Sequence, residues 1–141
     1  MPALLLQAAR DWIPEFHPPN TALGPIAPRP ARPRIHLAFV SADFREHPAA
    51  FNMAGLFEHL DRSRFELTAI SLFRDTASPM RERMLKAFER FVDADTLSDL
   101  EIARLMRELH VDIAIDMMGP TRKERGGIFA LRPAPIHVNH F

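Results

Sequence analysis

The sequence contains no cysteine, and its formal charges cancel, with 18 lysines and arginines against 18 aspartates and glutamates in 141 residues. Without cysteine the chain can form neither a disulfide framework nor a thiolate zinc site. The missing net charge argues against the broad basic field that draws a protein to nucleic acid, although local patches stay open. We therefore expect a cytoplasmic protein that does not bind nucleic acid.

Long apolar runs are missing as well, since no stretch approaches the ~20 residues that span a bilayer. The opening "MPALLLQAARDW" has a short apolar patch, but it lacks the basic region and the cleavage site of a secretory signal. Its apolar residues recur at helical spacing, which predicts a helix over residues 1–16. No membrane segment is expected.

Glycine and metal-binding patterns are scarce too. The sequence has seven histidines, and no two of them show the HxxxH or HExxH spacing of a metal site, so we expect chemistry without a metal cofactor. It has five glycines, none of them in "SADFREHP", which follows the first predicted strand. A glycine-rich turn at that position would be needed to cradle a phosphate. We do not expect this domain to hold a nucleotide by itself.

Proline divides the chain. Residues 17–33 are rich in proline, which lacks an amide donor and fixes φ, so this segment should be extended. It can act as a linker between domains, or it can wrap along a neighbouring surface. The remaining residues, 34–141, suffice for one domain with its own core.

From residue 34 onward, short apolar runs alternate with segments of helical period, a pattern typical of parallel βα units. We predict an α/β, Rossmann-like, doubly wound sheet of five parallel strands. The predicted strands are 35–41, 66–72, 90–93, 111–116 and 135–139. The predicted helices are 48–60, 78–91, 96–110 and 122–132.

The stretch "SADFREHPAAFNM" places His47 where the first strand has ended and a helix begins. Pro48 suits a first helical position. The unpaired amides of a helix start disfavour a protonated ring, which predicts a neutral His47 able to accept a proton. Two interpretations stay open, a general base and a purely structural cap. Either Asp43 or Glu46 can orient the ring.

A second candidate lies in "VDIAIDMMGPTRKE", where Asp116 ends an otherwise apolar strand and Thr121 follows a tight turn. Ligands of open parallel sheets gather beyond the carboxyl ends of the strands. Asp116 and Thr121 are therefore predicted to shape the floor of a cleft. The alternative for Asp116 is a carboxylate that only satisfies nearby loop amides.

Taken together, these stretches resemble the O-linked N-acetylglucosamine transferases, glycosyltransferase family 41, with their SPINDLY-like and bacterial relatives. The resemblance is carried by "RIHLAFVSADFREHP" and, at the right separation, by "VDIAIDMMGPTRKERGGIFALRPAPIHVN". "FALRPAPI" is the most specific block, and the likeness covers residues 34–141. It implies the N-terminal lobe of a two-lobed glycosyltransferase-B fold, with the second lobe absent and tetratricopeptide repeats as an expected partner.

The same resemblance implies transfer of N-acetylglucosamine from UDP-N-acetylglucosamine to serine or threonine of proteins, or of fucose in the SPINDLY branch, without a metal. It makes His47 catalytic, and Pro48, Asp116 and Thr121 substrate-binding. Met118 and Pro120 depart from the family pattern, which has asparagine and tyrosine there. This chain alone is expected to be inactive. The alternative is a non-catalytic protein-binding module that retains the lobe.

Overall fold

A computed structural model describes residues 1–74 and 77–140. Residues 75, 76 and 141, which the predicted domain 34–141 includes, lie outside the described residues. Helices and strands alternate along the chain as the sequence pattern predicts. The elements are α1 (Pro2–Phe16), β1 (Ile35–Ser41), α2 (Pro48–His59), β2 (Phe65–Ser71), α3 (Pro79–Ala87), β3 (Arg90–Asp93), α4 (Asp99–Glu108), β4 (Ile113–Asp116), α5 (Gly127–Ala130) and β5 (Ile136–Asn139).

The strands form one sheet in the order β3-β2-β1-β4-β5, and every neighbouring pair runs parallel. The predicted five-stranded parallel sheet is confirmed. β1 lies at its centre, and six of its seven residues are buried. A strand covered on both faces needs apolar residues at consecutive positions, which is why "IHLAFVS" is nearly continuous in apolar residues.

Helices cover both faces of the sheet, as a doubly wound fold requires. α2 and α3 pack on one face, where Phe57 contacts the rings of Phe39 and Phe88 at centroid distances of 4.9 and 4.7 Å. α4 and α5 lie with the other core cluster, to which Met106 and Ile128 contribute fully buried side chains. Burying one such side chain stabilises the fold by about 1.5–3 kcal/mol.

The last helix is much shorter than predicted. The sequence pattern predicts a helix over 122–132, but the structure has only Gly127–Ala130, so that prediction is wrong for residues 122–126. Lys123 adopts a left-handed backbone with φ 68°, which interrupts any helix. Arg132, with φ 55°, ends the helical turn ahead of a proline. Local turn geometry therefore overrides the helical periodicity of "RKERGGIFALR".

Residues 17–33 lie along the surface of the domain formed by residues 34–141. The amide of Asn20 donates to the Ala130 carbonyl at 3.0 Å, and Leu23 packs against the core beneath α4 and α5. Farther along, Arg29 donates to the Val111 carbonyl at 3.1 Å. The segment therefore wraps along a neighbouring surface, the second of the two roles open to it.

Helix α1 precedes this segment and buries none of its residues. Its apolar residues Leu4, Leu5 and Leu6 are exposed. Within the described residues, 1–74 and 77–140, the structure has no helix with both the length and the apolar character to span a bilayer. The fold thus places a compact domain beside a helix that touches it through one end.

Candidate active site

The sheet positions one candidate residue at the seam between β1 and α2. Beyond Ser41, the chain makes a turn in which the Asp43 amide donates to the Ser41 hydroxyl at 2.9 Å. Phe44 then points into the core, where it is only 2% exposed. This anchored turn delivers His47 to the first turn of α2, above the carboxyl ends of the parallel strands.

His47 caps α2, as predicted. Its Nδ1 accepts a hydrogen bond from the Ala49 amide at 3.1 Å, and Pro48 occupies the first helical position. Because Nδ1 accepts, the neutral ring carries its proton on Nε2. That nitrogen lies 3.7 Å from Asp43 Oδ1, beyond hydrogen-bond distance. The ring therefore offers an N–H group on the side away from its helix.

The two flanking carboxylates have different roles. Glu46 accepts a hydrogen bond from the Met80 amide at 2.9 Å, so it caps the start of α3 and does not orient His47. Asp43 is the carboxylate near the ring, and Arg45 holds it at 3.1 Å. Of the two residues named from sequence, Asp43 is the one placed to stabilise a protonated His47.

The loop between β4 and α5, residues 117–126 (the β4–α5 loop), supplies the facing wall. Asp116 Oδ1 accepts the amides of Met118 at 2.9 Å and Gly119 at 3.3 Å. Burial raises the pKa of the Asp116 carboxyl, while these two amides act in the opposite direction and the charge of Glu124 raises it further. The contacts are those of a carboxylate that shapes the loop.

Thr121 and Met118 fix the first half of this loop. The Thr121 hydroxyl donates to the Met118 carbonyl at 2.7 Å. The Met118 side chain is buried, and its sulfur accepts the Ala42 amide at 3.2 Å. The methionine at the family's asparagine position thus ties the β4–α5 loop to the end of β1.

His47 and Thr121 meet in one open cleft of about 780 Å³ (the His47 cleft). Asp116 and Pro48 are not among its lining residues; Asp116 instead faces a second cleft of about 420 Å³ beside α1. The residues that line the His47 cleft are Asp43, Arg45, His47, Ala49, Met117, Met118, Thr121, Arg122 and Lys123.

Sequence reasoning missed the cations of this cleft. Lys123 Nζ lies 3.8 Å from the centroid of the Phe73 ring, and the Arg45 guanidinium lies 5.3 Å from it. Arg122 is exposed beside them. Phe73 follows β2, and no sequence spacing connects it with either cation. With three cations against Asp43, the His47 cleft suits an anionic group such as a phosphate.

Groups of three or more histidines and carboxylates that could bind a metal ion do not occur within residues 1–74 and 77–140. The chemistry available in the His47 cleft is that of one imidazole, one hydroxyl, three cations and Asp43. Such a set can bind an anion and handle a proton.

Comparison with known proteins identifies the family. The family model described as glycosyl transferase family 41 matches residues 22–141. The chain belongs to glycosyl transferase family 41. The match begins inside the proline-rich segment and includes the whole sheet and both walls of the His47 cleft.

Two named relatives are similar over most of this chain. A probable UDP-N-acetylglucosamine–peptide N-acetylglucosaminyltransferase, SEC of Arabidopsis thaliana, is 30% identical over 134 residues, which cover 94% of this chain and 13% of that protein. A UDP-N-acetylglucosamine–peptide N-acetylglucosaminyltransferase of Caenorhabditis elegans is 34% identical over 106 residues, covering 74% of this chain and 9% of that protein.

A solved O-GlcNAc transferase structure shares the fold. A mutant of the Thermobaculum terrenum O-GlcNAc transferase matches with a TM-score of 0.78 and 27% identity, over 93% of this chain and 25% of that chain. The present chain therefore spans at most about a quarter of the length of these relatives. The predicted family and the predicted fold of the lobe are both confirmed.

Proposed function

We propose that this chain is the N-terminal lobe of a protein O-glycosyltransferase that transfers N-acetylglucosamine from UDP-N-acetylglucosamine to serine or threonine hydroxyls of proteins. The names of its relatives support the donor and the class of acceptor. The observation that carries the proposal is the meeting of His47 and Thr121 in one basic cleft above the carboxyl ends of β1 and β4.

His47 acts on the acceptor hydroxyl in this mechanism. In the tautomer that the Ala49 hydrogen bond implies, Nε2 donates to the hydroxyl oxygen and orients it. To take the proton, the ring must shift its own proton to Nδ1 and give up the Ala49 hydrogen bond, which contributes about 1 kcal/mol. The imidazolium formed on transfer would then be stabilised by Asp43, whose carboxylate lies 3.7 Å away.

The cations act on the donor. As the sugar leaves UDP, negative charge grows on the diphosphate, and Arg122 and Lys123 stand on the wall of the same cleft. Cationic side chains that face the leaving group lower the barrier by stabilising this charge. We propose that no metal is needed, that Thr121 contacts the donor, and that Asp116 acts through the loop it holds.

Most nucleotide contacts are assigned to a second lobe. The relatives are several times longer than this chain, which supports further domains in the whole enzyme. The family resemblance implies that tetratricopeptide repeats are among them. The exposed leucines of α1 are consistent with a packed neighbour at this end. We propose a cytoplasmic location, and no transfer by this chain alone because most nucleotide contacts are assigned to the second lobe.

The test is His47→Ala in an enzyme that carries both lobes. Removing a donor or base that contacts the reacting hydroxyl should lower turnover by about 10²–10⁴-fold, while the lost cap costs about 1 kcal/mol of stability. His59→Ala is the matched control, because this exposed ring bonds to the Gly55 carbonyl of its own helix. Turnover within a few-fold of the parent would make His47 a structural cap.

A second measurement concerns the chain by itself. Calorimetric titration of residues 1–141 with UDP-N-acetylglucosamine should give weak or no binding, because most nucleotide contacts are assigned to the second lobe and the turn after β1 has no glycine. Micromolar affinity would contradict the assignment of the nucleotide contacts to another lobe.

One observation favours a non-catalytic binding module as the second candidate. Met118 occupies the position where the family pattern has asparagine, and its sulfur is already engaged by the Ala42 amide. A two-lobed protein that binds acceptor proteins but transfers no sugar would support this candidate over the enzyme.

A further inference from the structure

We infer that His17 and Glu124 are positioning residues that hold the β4–α5 loop, with Thr121 and Lys123, in its place in the His47 cleft. The inference rests on the proposed function for its catalytic consequence. Its structural part stands independently, on contacts between the N-terminal segment and this loop.

One carboxylate joins the two pieces. His17 Nε2 lies 3.0 Å from Glu124 Oε1, and both side chains are mostly buried, with 20% and 17% of their surface exposed. The other oxygen, Glu124 Oε2, accepts the Gly126 amide at 2.6 Å. Since a carboxylate only accepts, His17 is the donor in this contact. Glu124 thus links a residue at the end of α1 to the backbone of the loop.

The His17 ring fits into space left by a glycine. A Cβ atom at Gly126 would lie 2.6 Å from His17 Cδ2, much closer than two carbon atoms approach without repulsion. The rings of His17 and Trp12 also meet edge to face, at a centroid distance of 5.1 Å. The ring is therefore fixed between the end of α1 and the loop backbone, and its position depends on both.

The contact reaches the cleft within three residues. The Glu124 amide donates to the Thr121 carbonyl at 3.1 Å, and the Thr121 hydroxyl donates to Met118. Between them, Lys123 has a left-handed backbone, a conformation that costs a non-glycine residue about 1–2 kcal/mol and needs support from its surroundings. The contact of His17 with the neighbouring Glu124, and that of the Lys123 side chain with the Phe73 ring, supply such support.

The far end of the loop is anchored separately. Arg125 donates to Asp99 at 2.8 Å and to the Leu97 carbonyl at 2.7 Å, which fixes residue 125 to the start of α4. The near end is fixed by Met118. Residues 119–124 between these anchors are the part that the His17–Glu124 contact positions, and they include both Thr121 and Lys123.

The first experiment follows amide hydrogen exchange in this chain. His17→Ala should raise the exchange rates of the Thr121, Glu124 and Gly126 amides at least about tenfold. A local opening whose free energy falls by about 1.4 kcal/mol exchanges tenfold faster. The amides of β1 and β2 should keep their rates. His17→Gln, which restores a side-chain N–H, should recover most of the protection, and His59→Ala should change none of it.

The second experiment measures transfer in an enzyme with both lobes. A loop displaced by a fraction of an ångström should lower kcat by about 10–100-fold, with little change in the KM for the acceptor. His17→Gln should restore most of kcat. The double variant His17→Ala, Glu124→Gln should be no worse than the more damaging single change, because both changes act on the same contact.

A steric variant guards against an effect on folding alone. Gly126→Ala is allowed by its backbone, with φ −59° and ψ −20°, but its methyl group would displace the His17 ring without removing either polar group. It should reproduce the loop exchange and the lowered kcat of His17→Ala.

Three outcomes are decisive. Unchanged loop exchange in His17→Ala overturns the inference, whatever the activity. Faster loop exchange with unchanged kcat in an active enzyme overturns the positioning role. If the parent enzyme transfers no sugar at all, the proposed function fails, and the exchange data still decide whether His17 holds the loop.

Discussion

Two histidines sit at the opposite ends of β1, and their surroundings differ completely. His36, the second residue of the strand, is fully buried. Its Nδ1 donates to the Leu109 carbonyl at 3.0 Å, and its Nε2 accepts from the Thr68 hydroxyl at 2.7 Å. His47, just past the other end, has 36% of its side chain exposed and uses only Nδ1 as a helix cap.

The difference separates a histidine that serves structure, where the strands begin, from one that we propose serves chemistry, where they end. At the amino edge of the sheet, where the strands begin, Asp112 accepts the His36 amide at 2.8 Å and pairs with Arg29 and Arg32. Polar contacts therefore close this edge. At the carboxyl edge, the Nε2 of His47 and the exposed Arg122 face an open cleft. Both nitrogens of His36 are held by protein groups, whereas only Nδ1 of His47 is engaged by the cap and the ring lines the cleft.

The largest expected effect that separates the two histidines is on stability. His36→Leu removes the ring and leaves the Leu109 carbonyl and the Thr68 hydroxyl buried without their partner, at about 1–3 kcal/mol each. We expect a loss of about 2–5 kcal/mol in the free energy of unfolding, measured by urea denaturation with unchanged m-value. His47→Ala should lose only about 1 kcal/mol. Equal losses would erase the distinction between the two edges.

The pH dependence of stability sharpens the comparison. Burial lowers the pKa of His36 below 6.5; Glu66 opposes this, and Arg32 and Arg90 add to it. Below about pH 6.5 the unfolded chain therefore binds a proton at His36 that the folded chain does not bind. The free energy of unfolding then falls as pH falls, by up to about 1.4 kcal/mol per pH unit for one proton. His137, whose pKa burial lowers to about 4, acts with the same sign between about pH 6.5 and 4.

His36→Gln is the variant that checks this slope, because its amide keeps a donor and an acceptor but does not titrate. Urea unfolding at pH 7.5, 6 and 5 should show a shallower decline for the variant than for the parent chain. A decline as steep as the parent's would mean that His36 does not control the acid sensitivity.

The smallest expected effect divides the two roles of His47 itself. Asparagine is among the best helix caps, so His47→Asn should leave the free energy of unfolding within about 0.5 kcal/mol of the parent. It places no imidazole in the cleft. In an enzyme with both lobes its turnover should therefore be as low as that of His47→Ala. Normal turnover with asparagine would show that only the cap matters.

The strands were predictable because burial on both faces leaves a plain signal. β1 was predicted at 35–41 and lies at Ile35–Ser41. β4 was predicted to begin at residue 111 but begins at Ile113, because Asp112 uses its side chain to close the amino edge. The predicted start of helix α5 was wrong for a related reason, since residues 122–126 have helical composition but are held in turns by individual side chains.

The candidate site was predictable only in part. A histidine followed by proline marks a helix start, so the cap formed by His47 could be read from the sequence. The contact between Lys123 and Phe73, and that between His17 and Glu124, join residues that are distant along the chain. No periodicity or motif encodes such pairs, because they exist only after the sheet has assembled.

The proline-rich segment has a mechanical consequence. It runs from His17, beside the β4–α5 loop, to Arg29 and Arg32, which bond to the Val111 and His110 carbonyls just before β4, at the opposite end of the strands. A chain pulled by its first residue would load the His17–Glu124 contact before any hydrogen bond of the sheet. Tension on α1 should therefore be felt first by the wall of the cleft, which would make this loop a force-sensitive element of the fold.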